Sequence, residues 1–436
     1  MMWWLKSALL SFLICLVFPG IVFAQPFKQA VSNNGAAQNK TLIHPELTAA
    51  FYKLRGPGVF WMGKEPAALQ LREALLYFID SAGLLGLDPF RYHQPVLKAS
   101  IHAGADSSKD IFFTDAAIAL CKDIFQGKKS SGFLGYDEIS KQYETADNDF
   151  ILGRLAGVVV AADLSSFIKQ LEPADKEYLF FKKGLAQCIS NNKAQAGQLA
   201  VRMNLLRWIR HFRFEKYILV NIPSATLKYY QADTVVLQMK VVVGKVATKT
   251  PRFAAFCNQL ILYPYWNVPP SIALNEILPK VKQHPAWLDA MNMQVVNANG
   301  KVISPSSINW RNYSKSNFPF RFRQSTGCDN SLGVIKFNIT DPYSVYMHDT
   351  NNQAAFLSGY RFYSHGCIRL EQPVQLGNLL LNNTLDTAYL QSCFKKQEPV
   401  TMPVEKPVAV FVVYSTADDD MAGRIKYYKD VYGLLK

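Results

Sequence analysis

The texture of the sequence changes near residue 213, and this change constrains the fold more than any other feature. Residues 41–212 carry apolar side chains at helical spacing, as Leu71, Leu75 and Phe78 illustrate. From residue 213 onwards, short β-branched and aromatic runs alternate with turn residues, a pattern typical of antiparallel strands. The sequence therefore predicts an α+β multidomain chain, with an α-helical N-terminal domain over 41–212 and a mostly β domain over 213–436.

Stop signals divide the helical half. Pro66 stands at a first-turn position and opens a predicted helix over 67–82 that ends at Gly83. Further helices are predicted at 115–125, 149–170, 174–190 and 196–211. In the last of these, Arg202, Arg207 and Arg210 lie mostly off the apolar stripe, so we expect them on a solvated face.

The β half begins as a predicted antiparallel meander. Strands are predicted at 216–221, 226–231, 235–243, 260–265, 333–338 and 344–347, a helix at 373–381, and closing strands at 408–416 and 425–428 around an Asp-Asp-Asp turn at 418–420. Residues 271–321 depart from this pattern, with a short helix near 273–282 followed by polar, Asn-rich chain. We expect this segment to be an irregular insertion between strands.

The first 24 residues have the pattern of a targeting segment. Lys6 precedes an apolar run over 8–23, and Val22-Phe23-Ala24 fits a small-residue cleavage site. The run is short for a transmembrane helix, so removal of a signal peptide (1–24) is favoured over a membrane anchor. A flexible lead-in is expected over 25–40, and the mature protein is expected to be exported and soluble.

The net charge narrows the classes of partner that the protein is expected to bind. A formal net charge of +14 suits nucleic acid, but export disfavours that partner and favours an anionic polymer of the cell envelope.

Without Cys15, six scattered cysteines remain, and none forms a CxxC pair. Export allows a disulfide among them. Cys121 and Cys188 lie in apolar helical surroundings, so we expect them to be buried and inert.

The reactive chemistry is concentrated in Ser364-His365-Gly366-Cys367, with His348 placed 19 residues before the cysteine. A thiol is a nucleophile only as thiolate, and its ordinary pKa of about 8.5 calls for a base or a positive field. His348 follows a predicted strand and is a candidate base. Gly366 allows close backbone approach, so the N–H groups of Gly366 and Cys367 are candidate oxyanion donors.

Other side chains complete this candidate site. Arg369 can favour the thiolate or hold a substrate carboxylate. Tyr346, Trp266 and Asn338 are candidate cleft residues, and Ser364 and His365 are candidate supporting residues.

Two alternative interpretations of the motif stay open at this point. His348, His365 and Cys367 could bind zinc, although no CxxC or carboxylate–histidine spacing supports a metal site. An exported cysteine peptidase is the other alternative, although papain-like proteases place cysteine before histidine.

The sequence resembles the L,D-transpeptidases with a YkuD-type catalytic domain. Their signature is a histidine, a variable gap, then Ser/Thr-His-Gly-Cys, an apolar residue and Arg/Asn, and here it reads His348 followed by 364–369. The resemblance covers roughly 213–436. Within this range, the stretches outside the signature that resemble the family are 217–223, 241–245, 250–251, 267–273, 331–333 and 342–350. It is similar to the large periplasmic subgroup, in which a helical scaffold precedes the catalytic domain and a capping segment, here 271–321, is inserted.

The resemblance implies a function and assigns roles to residues. Cys367 would be the nucleophile and His348 the general base, with Ser364, His365, Gly366 and Arg369 in support. Such enzymes expel D-Ala from a tetrapeptide stem and transfer the acyl group to a neighbouring stem amine, giving a 3–3 cross-link. They need no metal or other cofactor, and carbapenems acylate the cysteine.

The resemblance leaves the acceptor open. Water, a free D-amino acid or a protein amine could replace the stem amine, and a non-catalytic wall-binding protein is the alternative from another class. The large subgroup usually carries a peptidoglycan-binding helical module between scaffold and catalytic domain, and we expect no such module here. The chain is expected to bind the wall through the capping segment and its basic surface, and to be monomeric.

Overall fold

The computed structural model describes residues 41–56, 58–130, 132–420 and 422–435. The predicted signal peptide and lead-in lie outside the described residues. None of the helices in the described ranges has the length and apolar character needed to cross a membrane. The described chain divides into two compact units. The first contains residues 41–79, 90–120 and 152–165, and the second contains 80–89, 121–151 and the chain from 166 onwards.

The N-terminal region is helical, as predicted. Its helices are α1 (Pro45–Arg55), α2 (Pro66–Asp80), α3 (Gln94–Ser100), α4 (Ser107–Phe125), α5 (Asp137–Ala156), α6 (Ala161–Leu171), α7 (Lys176–Cys188) and α8 (Lys193–Arg210). The single helix predicted over 149–170 is wrong. The chain breaks after Ala156, and the Asp163 carboxylate caps the start of α6 by accepting hydrogen bonds from the backbone N–H groups of Val159 and Val160, both at 3.1 Å.

Two buried aspartates of α4 organise the first unit. Asp110 accepts hydrogen bonds from the backbone N–H groups of Trp61 and Met62, both at 2.7 Å. Asp115 accepts from the N–H groups of Ile43 and His44, both also at 2.7 Å. Because a buried carboxylate is costly unless its oxygens are satisfied, these bonds fix the neighbouring loops on α4.

The second unit contains a barrel-like sheet. The strands of this region are β1 (Lys216–Asn221), β2 (Thr226–Gln231), β3 (Thr234–Gly244), β4 (Phe253–Leu262), β5 (Trp266–Asn267), β6 (Met293–Val296), β7 (Val302–Ile303), β8 (Arg321–Gln324), β9 (Ile335–Ile339), β10 (Met347–His348), β11 (Phe362–Ser364), β12 (Ile368–Leu370), β13 (Val400–Val413), β14 (Ala417–Asp419) and β15 (Ile425–Tyr427). Nine of them form one sheet in the order β11-β3-β12-β10-β9-β4-β13-β1-β2. An additional β2–β3 pairing closes this sheet, and it confirms the predicted meander of β1, β2 and β3.

The apolar core lies on the inner face of this closed sheet. Phe337, Met347 and Ile368 belong to it, and the helix α9 (Pro373–Leu380) contributes Leu376. Because side chains alternate between the faces of a strand, the residues next to these in sequence point to the outer face.

Strands β4 and β13 are longer than the sequence predicts. β4 begins at Phe253 instead of 260, and β13 begins at Val400 instead of 408. The register of their pairing shifts between Pro403 and Val408, where Glu405, Lys406 and Pro407 interrupt the apolar alternation. A bulge therefore concealed the first half of β13.

Residues 271–321 form a small subdomain of their own. A helical turn at Pro270–Ile272, a π-helical turn at Ala273–Ile277, and short helices at Leu278–Gln283 and Trp287–Ala290 precede its strands. A four-stranded sheet, β5-β8-β6-β7, packs on a separate core that includes Val281, Leu288, Val295 and Phe322. The expectation of irregular chain is wrong because strands of two to four residues are too short to show alternation.

The cysteines fall into three groups. A disulfide joins Cys328 to Cys393 across 65 residues of sequence. Cys121, Cys188 and Cys257 are buried and free, which confirms the expectation for the first two. Burial raises the pKa of Cys257 to about 12. Among the described cysteines, Cys367 is the free thiol that is partly exposed.

A buried charge network joins α7 and α8 to the sheet. Arg202 is fully buried and lies 2.9 Å from Glu177 and 3.1 Å from Asp418. Lys228 on β2 lies 3.0 Å from the same oxygen of Glu177. Arg207 is also fully buried, so the expected solvated face is wrong for these arginines. The predicted turn at 418–420 is wrong too, because Asp418 lies in β14.

The electrostatic balance keeps Glu177 ionised. Burial raises its pKa, but the positive charges of Lys228, Arg202 and Arg210 outweigh that effect, and the net pKa lies below the ordinary glutamate value. This carboxylate therefore contributes stability above the ordinary glutamate pKa, and the contribution is lost as the pH falls towards the lower pKa of the folded state.

We predict that Glu177→Gln lowers the free energy of unfolding by about 3–5 kcal/mol, because the buried cations Arg202 and Lys228 lose one of the carboxylates that neutralise them. Thermal and urea unfolding at pH 7 measure the change. Glu215→Gln is the matched control, since Glu215 is exposed. A loss of stability no larger than that of the control would contradict the role of the network.

Candidate active site

The pairing of β10 with β12 brings the predicted base and nucleophile together. The two strands are parallel, with Met347 opposite Ile368 and His348 opposite Arg369. The Ile368 N–H donates to the Tyr346 carbonyl oxygen at 3.0 Å. Since Met347 and Ile368 point into the core, the side chains of His348 and Cys367 both point to the outer face.

Strand β9 extends this face on the other side of β10. Lys336 is opposite His348 in the antiparallel register, and Phe337 is opposite Met347. Because Phe337 lies in the core, Lys336 and Asn338 point outwards. The outer face therefore carries a row formed by Lys336, His348 and Arg369, beside a row formed by Asn338, Tyr346 and Cys367.

Ser364 fixes the turn that presents the thiol. Its hydroxyl donates to the Cys367 carbonyl oxygen and accepts from the Gly366 N–H at 3.1 Å. Gly366 has a φ of 120°, a conformation that other residues rarely adopt. Thr250 donates to the Gly366 carbonyl oxygen at 2.8 Å, which fastens the turn to the chain after β3.

His348 is a neutral base aimed at the outer face. Its Nδ1 bonds to the carbonyl oxygen of Asp349, which can only accept, so Nδ1 carries the proton and Nε2 keeps a free lone pair. Burial, followed by the positive charge of Arg369, lowers the pKa of His348 to about 3, against a smaller opposing effect of the Asp349 bond.

Cys367 is held mainly as a thiol in the unliganded site. Burial raises its pKa above the ordinary cysteine value, while hydrogen bonds from the Tyr346 backbone N–H and hydroxyl and the charge of Lys336 act in the opposite direction. The site thus pairs a neutral thiol with a neutral imidazole, and proton transfer accompanies attack.

The subdomain at 271–321 touches the motif through His365. The His365 Nε2 lies 2.7 Å from a carboxylate oxygen of Glu276, which belongs to the π-helical turn. Trp266, on strand β5 of the same small sheet, hydrogen-bonds to Tyr346, which in turn hydrogen-bonds to Cys367. The insertion is therefore coupled to the nucleophile through side chains on both sides of it.

Comparisons with known proteins assign this site to a family. Residues 215–402 match the model of the L,D-transpeptidase catalytic domain, YkuD, and residues 46–185 match the model of the Scaffold domain. The chain carries an L,D-transpeptidase catalytic domain. A curated protein of Haemophilus influenzae, whose name describes it as a candidate L,D-transpeptidase, is 31% identical over 301 residues, which cover 68% of this chain. The match spans 60% of that relative's length.

Solved L,D-transpeptidases also match, at low similarity. The enzyme from Mycobacterium smegmatis is 14% identical, with a TM-score of 0.21 over 46% of this chain and 58% of that chain. L,D-transpeptidase 1 of Mycobacterium tuberculosis is 13% identical, with a TM-score of 0.17 over 46% and 61%. The family assignment rests on the sequence matches.

The structure of the L,D-transpeptidase domain accounts for most of the predicted site residues. Cys367, His348, Tyr346 and Arg369 share the outer face, and Trp266 reaches them through Tyr346. His365 points to the insertion, and Asn338 lies two residues beyond Lys336. The expected oxyanion donors differ, because the Gly366 N–H is occupied by Ser364, whereas the Cys367 N–H has no acceptor among the described residues.

Lys336 is the site residue that the sequence did not reveal. In the sequence, Lys336 stands in a predicted strand directly before the apolar Phe337. Polar and apolar residues alternate in many strands, so this pattern alone does not mark the lysine as part of a site. The long-range register of β9 with β10 is what places it beside His348.

The geometry disfavours the zinc alternative at this motif. Among the described residues, the His, Cys, Asp and Glu side chains close enough together to hold a metal are Glu177, Asp418 and Asp419. Lys228 lies within ion-pair distance of all three, so an ammonium already neutralises that cluster. His348, His365 and Cys367 do not form such a group.

We predict that alkylation of Cys367 by iodoacetamide accelerates about tenfold per pH unit between pH 6 and 8, without a plateau, because the raised thiol pKa keeps the thiolate scarce. The facing charged or titratable groups are His348, Lys336, Arg369, Tyr346 and Asp341. Mass spectrometry of the modified peptide gives the rate, and Cys367→Ala supplies the background. A plateau across this range would show a preformed thiolate–imidazolium pair and contradict the prediction.

We also predict that Glu276→Gln accelerates amide hydrogen exchange about two- to fivefold in residues 273–277 and 363–368, the gain expected from weakening a partly exposed side-chain hydrogen bond. Glu46→Gln, at an exposed position on α1, is the control. Unchanged exchange in both segments would show that the contact with His365 does not restrain them.

Proposed function

We propose that this protein is an exported peptidoglycan L,D-transpeptidase that forms 3–3 cross-links through a cysteinyl acyl-enzyme. The observation that carries the proposal is the parallel pairing of β10, which ends at neutral His348, with β12, which begins directly after Cys367, within a domain of the L,D-transpeptidase family. A thiol and an unprotonated imidazole on one face are the parts that acyl transfer by nucleophilic catalysis requires.

The acylation step uses both side chains. His348 Nε2 takes the proton of the Cys367 thiol as Sγ attacks the carbonyl carbon of the third residue of a tetrapeptide stem. The Cys367 N–H stabilises the negative charge on the carbonyl oxygen. When the tetrahedral intermediate collapses, the C–N bond to D-Ala breaks, the imidazolium returns its proton to the leaving amine, and a thioester on Cys367 remains.

The second step reverses these roles. A side-chain amine of a neighbouring stem attacks the thioester carbon, and His348 removes a proton from that amine. The bond between carbon and Sγ breaks, and the thiolate recovers the proton from His348. A new amide bond then joins the two stems, and the free enzyme is restored without a cofactor.

The identity of the acceptor determines the product. Water would make the protein an L,D-carboxypeptidase, a free D-amino acid would exchange the terminal residue, and a protein amine would give attachment to the wall. All of these share the acyl-enzyme, whereas a non-catalytic wall-binding protein would not form it. The paired Cys367 and His348 favour the enzymes over the binding protein.

The wall is the proposed place of action. The leader pattern of 1–24 and the net charge of +14 support export and attraction to an anionic polymer. α7 ends at Cys188 and α8 begins at Lys193, so no binding module lies between these helices. We assign stem binding to the outer face beside Cys367 and capping to residues 271–321.

We predict that purified protein, incubated with tetrapeptide-bearing muropeptides, yields a dimer shortened by one D-Ala, and that Cys367→Ala abolishes every product. His348→Gln is expected to lower turnover by about 10²–10⁴-fold, the usual contribution of a general base. His284→Gln is the control, since His284 is exposed and lies in the insertion. Mass spectrometry identifies the products.

The outcomes separate the alternatives. A shortened monomer alone indicates hydrolysis, and incorporation of an added D-amino acid indicates exchange. Imipenem is expected to add its whole mass to Cys367, because opening of the β-lactam ring expels no atoms. Unchanged muropeptides together with no imipenem adduct on Cys367 would contradict the L,D-transpeptidase and every alternative that shares its acyl-enzyme.

A further inference from the structure

Two cationic side chains flank the candidate base, His348, on the face that also carries Cys367, and neither has a carboxylate partner. Lys336 and Arg369 stand on either side of His348 in the strand register. Among the described residues, neither lies within 4.0 Å of an acidic oxygen, although both are largely buried. The Arg369 Nε is buried and has no hydrogen-bond partner. Buried cations are normally paired, so this site is built with an unbalanced positive charge.

The position of Lys336 is set by Tyr346. The ammonium lies 4.3 Å from the centroid of the Tyr346 ring, a cation–π distance. The hydroxyl of the same tyrosine hydrogen-bonds to the Cys367 sulfur. Since Tyr346 contacts both groups, it holds the lysine on the side of the outer face where the thiol lies.

The charge of Lys336 acts on the thiol. Burial raises the pKa of Cys367 and lowers the pKa of Lys336, and the attraction between the lysine ammonium and a negative sulfur opposes both shifts. Asp341 opposes it with a negative charge, but one of its carboxylate oxygens accepts from the backbone N–H groups of Tyr343 and Val345. With a neutral thiol and a neutral imidazole, the net charge facing a reactant is positive.

We propose that Lys336 is a positioning residue of the nucleophile, whose ammonium stabilises negative charge on Cys367 Sγ and, with Arg369, favours reactants that carry a carboxylate next to the reacting carbon. The inference takes from the proposed function only the identity of Cys367 as nucleophile.

Two alkylating reagents of nearly equal size test this inference without any need for transpeptidation. Iodoacetate is an anion and iodoacetamide is neutral, and both form the same carbon–sulfur bond at Cys367 with loss of iodide. In the native protein, the ratio of the iodoacetate rate to the iodoacetamide rate is expected to exceed that of N-acetylcysteine amide, a thiol with no neighbouring cation.

The variants locate the source of the preference. Lys336→Met is expected to lower the rate ratio about three- to tenfold and to move the pH profile of iodoacetamide alkylation upward, because one nearby positive charge is lost. Lys336→Arg is expected to restore most of both. Lys406→Met, which removes the same charge from an exposed position on β13, is expected to change neither.

The ratio is internally normalised, because both reagents report on the same thiol. A folded Lys336→Met protein with the native ratio would overturn the inference. If that variant does not fold, the native protein still decides, since a native ratio no higher than that of N-acetylcysteine amide would equally overturn it. If the native protein and the variants show the expected ratios of iodoacetate to iodoacetamide rates but no muropeptide products form, only the proposed function is contradicted.

Discussion

The parallel pairing of Met347–His348 with Ile368–Arg369 is the constraint on which the site depends. Parallel neighbouring strands cannot be joined by a tight hairpin. After β10 the chain therefore forms β11, which pairs with β3, and the Ser364–Cys367 turn then leads into β12 beside β10. Closure of the sheet by β2 and β3 fixes the register of this return. Because side-chain direction has a period of two, a slip of one residue would send Cys367 or His348 into the core.

Two further devices hold this arrangement in place. The charges of Glu177, Arg202, Lys228 and Asp418 fasten α7, α8 and the C-terminal hairpin to the outer face of the sheet, although Asp418 is distant in sequence from the other three. The insertion carries its own apolar core, so it can keep its shape while its contacts with the motif form or break. The buried charge network and the contact with the motif at His365 therefore belong to different parts of the second unit.

Local patterns in the sequence were sufficient for the parts of the fold that depend on neighbours in the chain. The meander β1–β3 and the helices α7 and α8 follow alternation and helical spacing, and the motif around Cys367 was visible as a short run. The pairing of Arg202 with Glu177 and Asp418, the position of Lys336 beside His348, and the core of the insertion depend on contacts between distant segments. The apolar stripe of a helix identifies only the face that packs on apolar side chains. Arg202 lies off that stripe, so the sequence predicted it to be solvated, although it is buried against carboxylates.

The π-helical turn at Ala273–Ile277 has a consequence for how the insertion can vary. Such a turn holds one more residue than an α-helical turn, and here it carries Glu276 to His365. Each residue of an α-helix rotates the chain by about 100°, so chain length within this turn sets the angular phase of Glu276. Related chains could loosen or tighten the insertion on the motif by gaining or losing a single residue, with every side chain of its core unchanged.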